Sequence, residues 1–266
     1  MKIRFLVGLF AVAFLAGSLS ACGGGGGGGG GDSGGNDALH GPFTGTAEGF
    51  YVGGLVDGTN REAEIVVLEN DEFWAFYGRG RTGPLVVEGF FQGSGNSDHR
   101  SNFTAADVRD FGTVPPKPGS FAAGYTGTAF VGGFDPGGTP TFLTGVNGTT
   151  EPEFPYNTPA VLADITGAWS LTGRDGTASL VTIAATGAIQ ASGSGCNLTG
   201  TIAPRASGKN VFDVSLTLGG APCSSPGTTL RGVAVSHLVP GTNTRELLVA
   251  GVDANRTSGA AFFGAR

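Results

Sequence analysis

The chain has 266 residues and a formal net charge of −6, and charged residues make up only 14% of it. A chain with few charged residues and a negative net charge lacks the basic surface that binds nucleic acid, so nucleic acid is excluded as a partner. Glycine is abundant, at 51 residues, which together with frequent Thr, Val and Phe is typical of short β-strands joined by tight turns.

Residues 1–21 have the three parts of an export signal. A basic start with Lys2 and Arg4 precedes an apolar run over residues 5–16, and small residues follow. The apolar run is too short to cross a bilayer, which takes about 20 apolar residues. One interpretation is therefore an ordinary signal peptide that is cut after Ala21.

The sequence Leu-Ser-Ala-Cys at residues 19–22 favours a second interpretation, because it resembles the lipobox of bacterial lipoproteins. In that family the peptide is cut before the cysteine, which then carries acyl chains such as palmitate on its sulfur and amine. The resemblance implies that Cys22 is the lipidated mature N-terminus and the membrane anchor. Residue 23 is glycine rather than aspartate, which under the enterobacterial sorting rule implies the outer membrane, with the leaflet left open.

Residues 22–41 contain a glycine-rich tether. Its unbroken glycine run covers residues 23–31, and a run without side chains to bury is predicted to stay a flexible coil. The reach of the tether is roughly 25 Å, enough to lift the folded part clear of the lipid headgroups.

Residues 42–158 are predicted to form a first β domain. Its strands are expected near residues 43–51, 65–69, 73–77 and 85–92, with one or two more between 119 and 134. The spacing of Thr104 and Asp107 resembles a capping box and predicts one helical turn that ends near Asp110. The prolines within residues 151–155 exclude a central strand or a helix, so the domain boundary is expected just after them.

Residues 159–266 are predicted to form a second domain. Apolar and polar residues alternate over residues 165–172 and 211–218, which indicates half-buried antiparallel strands. Eight strands are expected to start near Ile165, Thr177, Ala188, Asn197, Asn210, Thr229, Arg245 and Gly259. Because the connections are short, consecutive strands should be neighbours. We therefore expect an all-β protein of two tandem small antiparallel domains, each an eight-stranded up-and-down barrel.

Three cysteines are present. With Cys22 assigned to the lipid, Cys196 and Cys223 remain as a pair in an oxidising compartment, and a disulfide between them is predicted. In the expected hairpin they lie at the same end of two neighbouring strands. The alternative is two free buried thiols.

Residues 73–77 place aromatic side chains on both faces of one strand, with Trp74 and Phe76 sharing a face. A barrel strand needs only one apolar face, so a second burial surface is implied. One interpretation is packing against the other domain or a covering loop. The other is an exposed patch at Trp74 and Phe76 that binds an extracellular protein or an apolar ligand.

No cofactor or metal site is predicted. Residues 78–83 match G-x-G-x-x-G, but a strand rather than a helix is expected after them, which indicates a hairpin loop. The three histidines, His40, His99 and His237, lack metal-ligand spacing. No catalytic constellation is found either, so the chain is not expected to be an enzyme.

The lipobox, the tether and the barrel pattern together resemble the lipidated barrel proteins of Gram-negative surfaces, such as transferrin-binding protein B and factor H-binding protein. The resemblance carries over no binding residue, so neither family's partner is implied. The expected function is a non-catalytic binding or adhesion module on the cell surface. Two alternatives are left open. One is a carrier of a small apolar ligand inside a barrel, with Gly232 and Ala234 as small inward residues, and the other is a structural envelope lipoprotein.

Overall fold

Two closed eight-stranded antiparallel barrels follow one another along the chain in the computed structural model, which describes residues 45–80, 83–147 and 154–266. Both barrels belong to a single unit, Pro42–Arg266. The predicted all-β fold with two tandem up-and-down barrels is confirmed. The predicted signal peptide, the lipidation site Cys22 and the glycine tether lie outside the described residues.

The first barrel is built from strands that follow each other around the ring. They are β1 (Gly49–Val56), β2 (Glu62–Val67), β3 (Glu72–Arg79), β4 (Val86–Ser94), β5 (Asn96–Ser97), β6 (Asn102–Asp110), β7 (Lys117–Tyr125), β8 (Ala129–Asp135) and β9 (Thr141–Asn147). The ring closes because β1 pairs with β9 and β4 pairs with β6. The two-residue β5 pairs with β6 beside the ring. As predicted, a strand and not a helix follows the glycine-rich stretch: β4 pairs antiparallel with β3, which ends at Arg79.

The second barrel is a closed ring of eight strands, in which each strand pairs with the next one along the chain. Its strands are β10 (Gly167–Gly173), β11 (Ala178–Ile183), β12 (Ala188–Gly193), β13 (Cys196–Pro204), β14 (Phe212–Leu218), β15 (Thr229–Leu238), β16 (Arg245–Val252) and β17 (Gly259–Ala265). Closure comes from β10 pairing with β17. A short helix, α1 (Leu162–Ile165), precedes the barrel, and within the described part of the chain no helix has the length and apolar character needed to cross a membrane.

The turn between β11 and β12 shows why glycine recurs in this chain. Gly187 has a φ of 83°, in the left-handed region that side chains disfavour. A Cβ at this position would also lie 2.1 Å from the carbonyl oxygen of Ile202 on β13. Both the turn and the close strand approach therefore require glycine.

The helical turn expected from Thr104 is wrong, because these residues belong to β6. Phe103, Ala105 and Val108 all reach the core of the first barrel. A register shift between Ala105 and Val108 interrupts the strict alternation and allows this spacing. The resemblance of Thr104 and Asp107 to a capping box is thus a by-product of a bulged strand.

Each barrel has its own apolar core. Aromatic rings dominate the first, where Phe121 and Phe130 stack with centroids 5.8 Å apart and Phe73 meets Phe103 edge to face at 5.6 Å. Such pairs contribute about 0.5–1.5 kcal/mol beyond the area they bury. The second core is mostly aliphatic, around Trp169.

The predicted disulfide between Cys196 and Cys223 is present, with Cα atoms 4.7 Å apart. Cys196 begins β13, and Cys223 follows the end of β14. These strands pair antiparallel, so the start of one lies beside the end of the other. The alternative of two free thiols is therefore wrong.

Candidate functional site between the two barrels

The barrels meet along strands that are apolar on both faces. In the first barrel β2 and β3 turn Val66, Trp74 and Phe76 outward, and in the second barrel β15 and β16 turn Val233 and Leu248 toward them. Neighbouring residues on the same strands face the barrel interiors, as the two-residue period of a strand requires. The interface is thus a third apolar core, separate from the two inside the barrels.

Of the two interpretations of Trp74 and Phe76, the exposed patch is wrong. Their side chains are 1% and 0% exposed. The Trp74 ring stacks on Phe90 at 5.9 Å, and its Nε1 donates a hydrogen bond of 3.1 Å to Oε1 of Glu72. The second barrel covers this face, which corresponds to the alternative of packing against the other domain.

Polar contacts fasten the rim of the interface. The Arg205 guanidinium from the second barrel lies 2.9 Å from a carboxylate oxygen of Glu69 in the first. Arg256 donates to the carbonyl oxygen of Gln92 and to Oδ2 of Asp107, both at 2.8 Å. These charge-assisted hydrogen bonds fix how the two barrels are turned against each other.

One end of the interface holds three ionisable side chains: Glu64 of β2, His237 of β15 and Glu246 of β16. The Nε2 atom of His237 lies 3.0 Å from Oε2 of Glu64 and 4.0 Å from Oε2 of Glu246. Its Nδ1 lies 3.1 Å from the carbonyl oxygen of Leu238, which can only accept, so Nδ1 carries a hydrogen. The backbone N–H of Leu85 donates to Oε1 of Glu246 at 2.6 Å. Main-chain groups therefore orient two of the three side chains.

Burial and mutual charge shift the proton affinities in this cluster. Burial alone would lower the pKa of His237, but attraction to Glu64, the hydrogen bond with it and attraction to Glu246 outweigh burial and raise that pKa to about 9. Burial raises the pKa of Glu246, and repulsion from Glu64 adds to the rise, while attraction to His237 opposes it. The protonation state of each group therefore depends on the charges of the other two.

The cluster has the donor types of a metal site. Its ligand atoms all lie within 4.8 Å of one another, and among the described residues it is the group of His, Cys, Asp and Glu side chains that meets this spacing. Sequence spacing missed it because Glu64 and His237 are 173 residues apart. The signal in the sequence is local: Glu64, His237 and Glu246 share the outward faces of their strands with the apolar residues Val66, Val235 and Leu248.

At the other end of the interface, a cleft of about 620 Å³ opens between the barrels. Trp74 and Glu72 line it from the first barrel, and Arg205, Arg231 and Arg256 line it from the second. Arg205 and Arg256 are bonded to carboxylates. Arg231 is exposed, and no carboxylate in the described part of the chain lies within ion-pairing distance of it. Along β15 it is separated from His237 by about 20 Å, given the strand rise.

The residues expected from the sequence are distributed over the molecule. Gly232 borders the cleft, while Ala234 packs inside the second barrel. The bridge between Cys196 and Cys223 clips β13 to the segment after β14 and does not line the cleft.

Comparisons of the chain with protein-family models, with curated proteins and with solved structures find no match.

Proposed function

We propose that the protein is a lipid-anchored, non-catalytic binding module of the bacterial cell envelope. Acyl chains on Cys22 hold it at the outer membrane in this proposal. The support is the order of three features in the sequence: the export signal, the lipobox-like residues 19–22 and the glycine run at residues 23–31. With a reach of roughly 25 Å, the tether lets the two barrels stand clear of the lipid headgroups.

The ligand in this proposal is a small anionic molecule held in the cleft between the barrels. The observation that carries it is the Arg231 guanidinium, which is exposed in a concave site without a carboxylate partner among the described residues. Guanidinium groups bind carboxylate and phosphate through paired, charge-assisted hydrogen bonds. Because both barrels line the cleft, the binding site needs the two-barrel arrangement and not a single barrel.

A carrier with its ligand inside a barrel is less well supported. Ala234, one of the small residues that suggested such a cavity, packs in the second core with Leu247 and Val249. In the first barrel, interior positions are taken by stacked rings such as Phe121 and Phe130. The cleft is open to solvent and offers a charged group, which favours it as the binding site.

Tryptophan fluorescence tests the cleft, because the chain has two tryptophans and Trp74 lines it. In a Trp169→Phe background, citrate and pyrophosphate are titrated separately up to about 10 mM, which would fill most sites with a Kd of about 1 mM. We expect a saturable change in Trp74 emission with at least one probe. In Arg231→Ala the affinity should fall by about 10- to 100-fold, since a hydrogen bond to a charged group contributes about 1.5–3 kcal/mol.

Arg100→Ala is the matched control, because it removes an exposed arginine that does not line the cleft. Its titration should equal that of the parent. A flat emission with both probes, or the same affinity in the parent and in Arg231→Ala, contradicts the assignment of the cleft.

The anchor is tested separately with Cys22→Ser. We expect labelled palmitate to enter the parent and not the variant, and the variant to leave the membrane fraction. Digestion of intact cells with proteinase K then decides the leaflet. Loss of the second barrel before lysis supports a cell-surface module, whereas protection until lysis contradicts surface adhesion and leaves a periplasmic binding module.

A further inference from the structure

We propose that Glu64, His237 and Glu246 form a structural site for one divalent transition-metal ion, with zinc as the representative, that ties the two barrels together. Glu64 belongs to the first barrel, and His237 and Glu246 belong to the second. The site lies at the end of the interface away from the cleft, and the inference does not depend on the proposed ligand binding.

The spacing of the donor atoms fits such an ion. Zinc binds imidazole nitrogen and carboxylate oxygen at about 2.0–2.2 Å, so two ligands of a tetrahedral site lie about 3.4 Å apart. Nε2 of His237 lies 3.0 Å from Oε2 of Glu64 and 4.0 Å from Oε2 of Glu246. Shifts of a few tenths of an ångström in side-chain position bring both distances to the tetrahedral value. The ligand oxygens of the two glutamates lie within 4.8 Å of each other, so they must approach by up to about 1.4 Å to reach the same value.

The surroundings orient the donors as a metal site requires. The Nδ1–H of His237 donates to the carbonyl oxygen of Leu238, so once a metal displaces the proton on Nε2, the Nε2 lone pair is directed at the two carboxylates. The Leu85 N–H holds Oε1 of Glu246 at 2.6 Å. The other oxygen, Oε2, accepts no hydrogen bond from the described residues, although the Glu246 side chain is only 2% exposed. This buried oxygen lies 4.0 Å from Nε2 of His237 and has no hydrogen-bonding partner among the described residues, and an ion would supply one.

Charge balance favours a dication. The cluster is enclosed by apolar rings, with the centroids of Phe50 and Phe154 at 5.7 and 5.8 Å from that of His237. Buried charge must be compensated locally. With both carboxylates ionised, one imidazolium leaves the cluster with one negative charge in excess, so without a metal neutrality requires a proton on Glu246. A dication bound by two carboxylates and a neutral imidazole gives a neutral cluster without that proton. The mixed nitrogen and oxygen donors select a transition ion over magnesium or calcium, which prefer oxygen alone.

The first test measures the metal content of the full-length chain. Because the site is buried between the barrels, the protein is unfolded and refolded with zinc chloride or with EDTA, then dialysed and analysed for metal. We expect one zinc ion per chain after refolding with zinc, and a higher unfolding temperature than after refolding with EDTA. Glu64→Gln and His237→Gln should lower the zinc content to background, whereas His99→Gln, which removes an exposed imidazole, should leave it unchanged.

A second measurement uses the unaltered chain, so that a variant that fails to fold does not decide the question. Anomalous scattering at the zinc edge from crystals of the zinc-refolded protein should place one ion about 2.0–2.2 Å from Nε2 of His237 and from an oxygen of each glutamate. Zinc bound elsewhere, equal zinc content in Glu64→Gln and parent, or displacement of zinc by magnesium at equal concentration would overturn the proposal. Absence of zinc after refolding would also overturn it, because hydrogen bonds and ion pairs would then hold the cluster together without a metal.

Discussion

Phe76 lies on the outward face of a barrel strand, where an isolated barrel would leave it in water. It is instead completely buried, because the second barrel covers β3. The sequence indicated a second burial surface through aromatic residues on both faces of this strand. It could not identify what covers that surface, because the residues opposite come from strands more than 150 positions away.

We expect Phe76→Ala to lower the free energy of unfolding by about 3–5 kcal/mol, because it leaves a large cavity in the interface. Phe142→Ala on β9 is the matched control: its ring is 50% exposed, and its loss should be about 1 kcal/mol or less. Urea denaturation followed by circular dichroism measures both. Equal losses in the two variants would mean that the interface is not formed in solution.

The three residues of the buried cluster show the limit of prediction at this scale. The spacing of histidines in the sequence predicts no metal site at His237. Glu64 reaches it only because β2 and β15 are pressed together in the folded molecule. The short distance between Glu64 and His237 arises only when the two barrels pack together, and no local sequence pattern encodes that packing.

At the scale of strands, most of the second barrel could be predicted. The expected starts at Ala188, Thr229, Arg245 and Gly259 coincide with the observed ones, because regular alternation is bounded there by turn residues. In the first barrel the same reasoning failed at β6, where a register shift breaks the alternation. The period of two is a reliable guide only where the strand has no bulge.

We expect the stability of the β13–β14 hairpin to depend on its disulfide bond. The bridge between Cys196 and Cys223 joins residues 27 positions apart. In the chain-entropy model, a disulfide that closes a loop of this size raises the free energy of unfolding by about 3–4 kcal/mol. We expect the double variant Cys196→Ser with Cys223→Ser to lose that amount in urea denaturation. Reduced parent protein is the control and should match the variant, and a loss below about 1 kcal/mol would contradict the entropic account.

For the whole molecule, buried tyrosines link stability to alkaline pH. Burial raises the pKa of Tyr51, Tyr77 and Tyr156, and nearby groups add to the rise, including Asp110 beside Tyr77 and Glu48 beside Tyr156. Their folded-state pKa values therefore lie above the value of about 10 in the unfolded chain. The stability that they contribute is complete below pH 10 and falls as the pH rises above it.

We expect the free energy of unfolding to drop steeply between about pH 10 and 11.5, where the unfolded tyrosines ionise and the folded ones do not. Urea titrations at a series of pH values measure the slope. Tyr77→Phe should flatten it, because one of the linked groups is then missing. A constant stability across this range would mean that the tyrosines are accessible to solvent.

The last consequence of the interface is that the two barrels should unfold together. Leu248 is fully buried at the interface, and an unfolded partner would expose it with the rest of that core. We expect one calorimetric transition for the full chain, with equal calorimetric and van't Hoff enthalpies. Leu248→Gln should lower its midpoint by about 5–15 °C, while Leu180→Gln, at a position 72% exposed on β11 of the same barrel, should hardly move it. Two separate transitions, with only one shifted by Leu248→Gln, would make the barrels independent domains. The cleft and the buried cluster would then lose the rigid frame on which both depend.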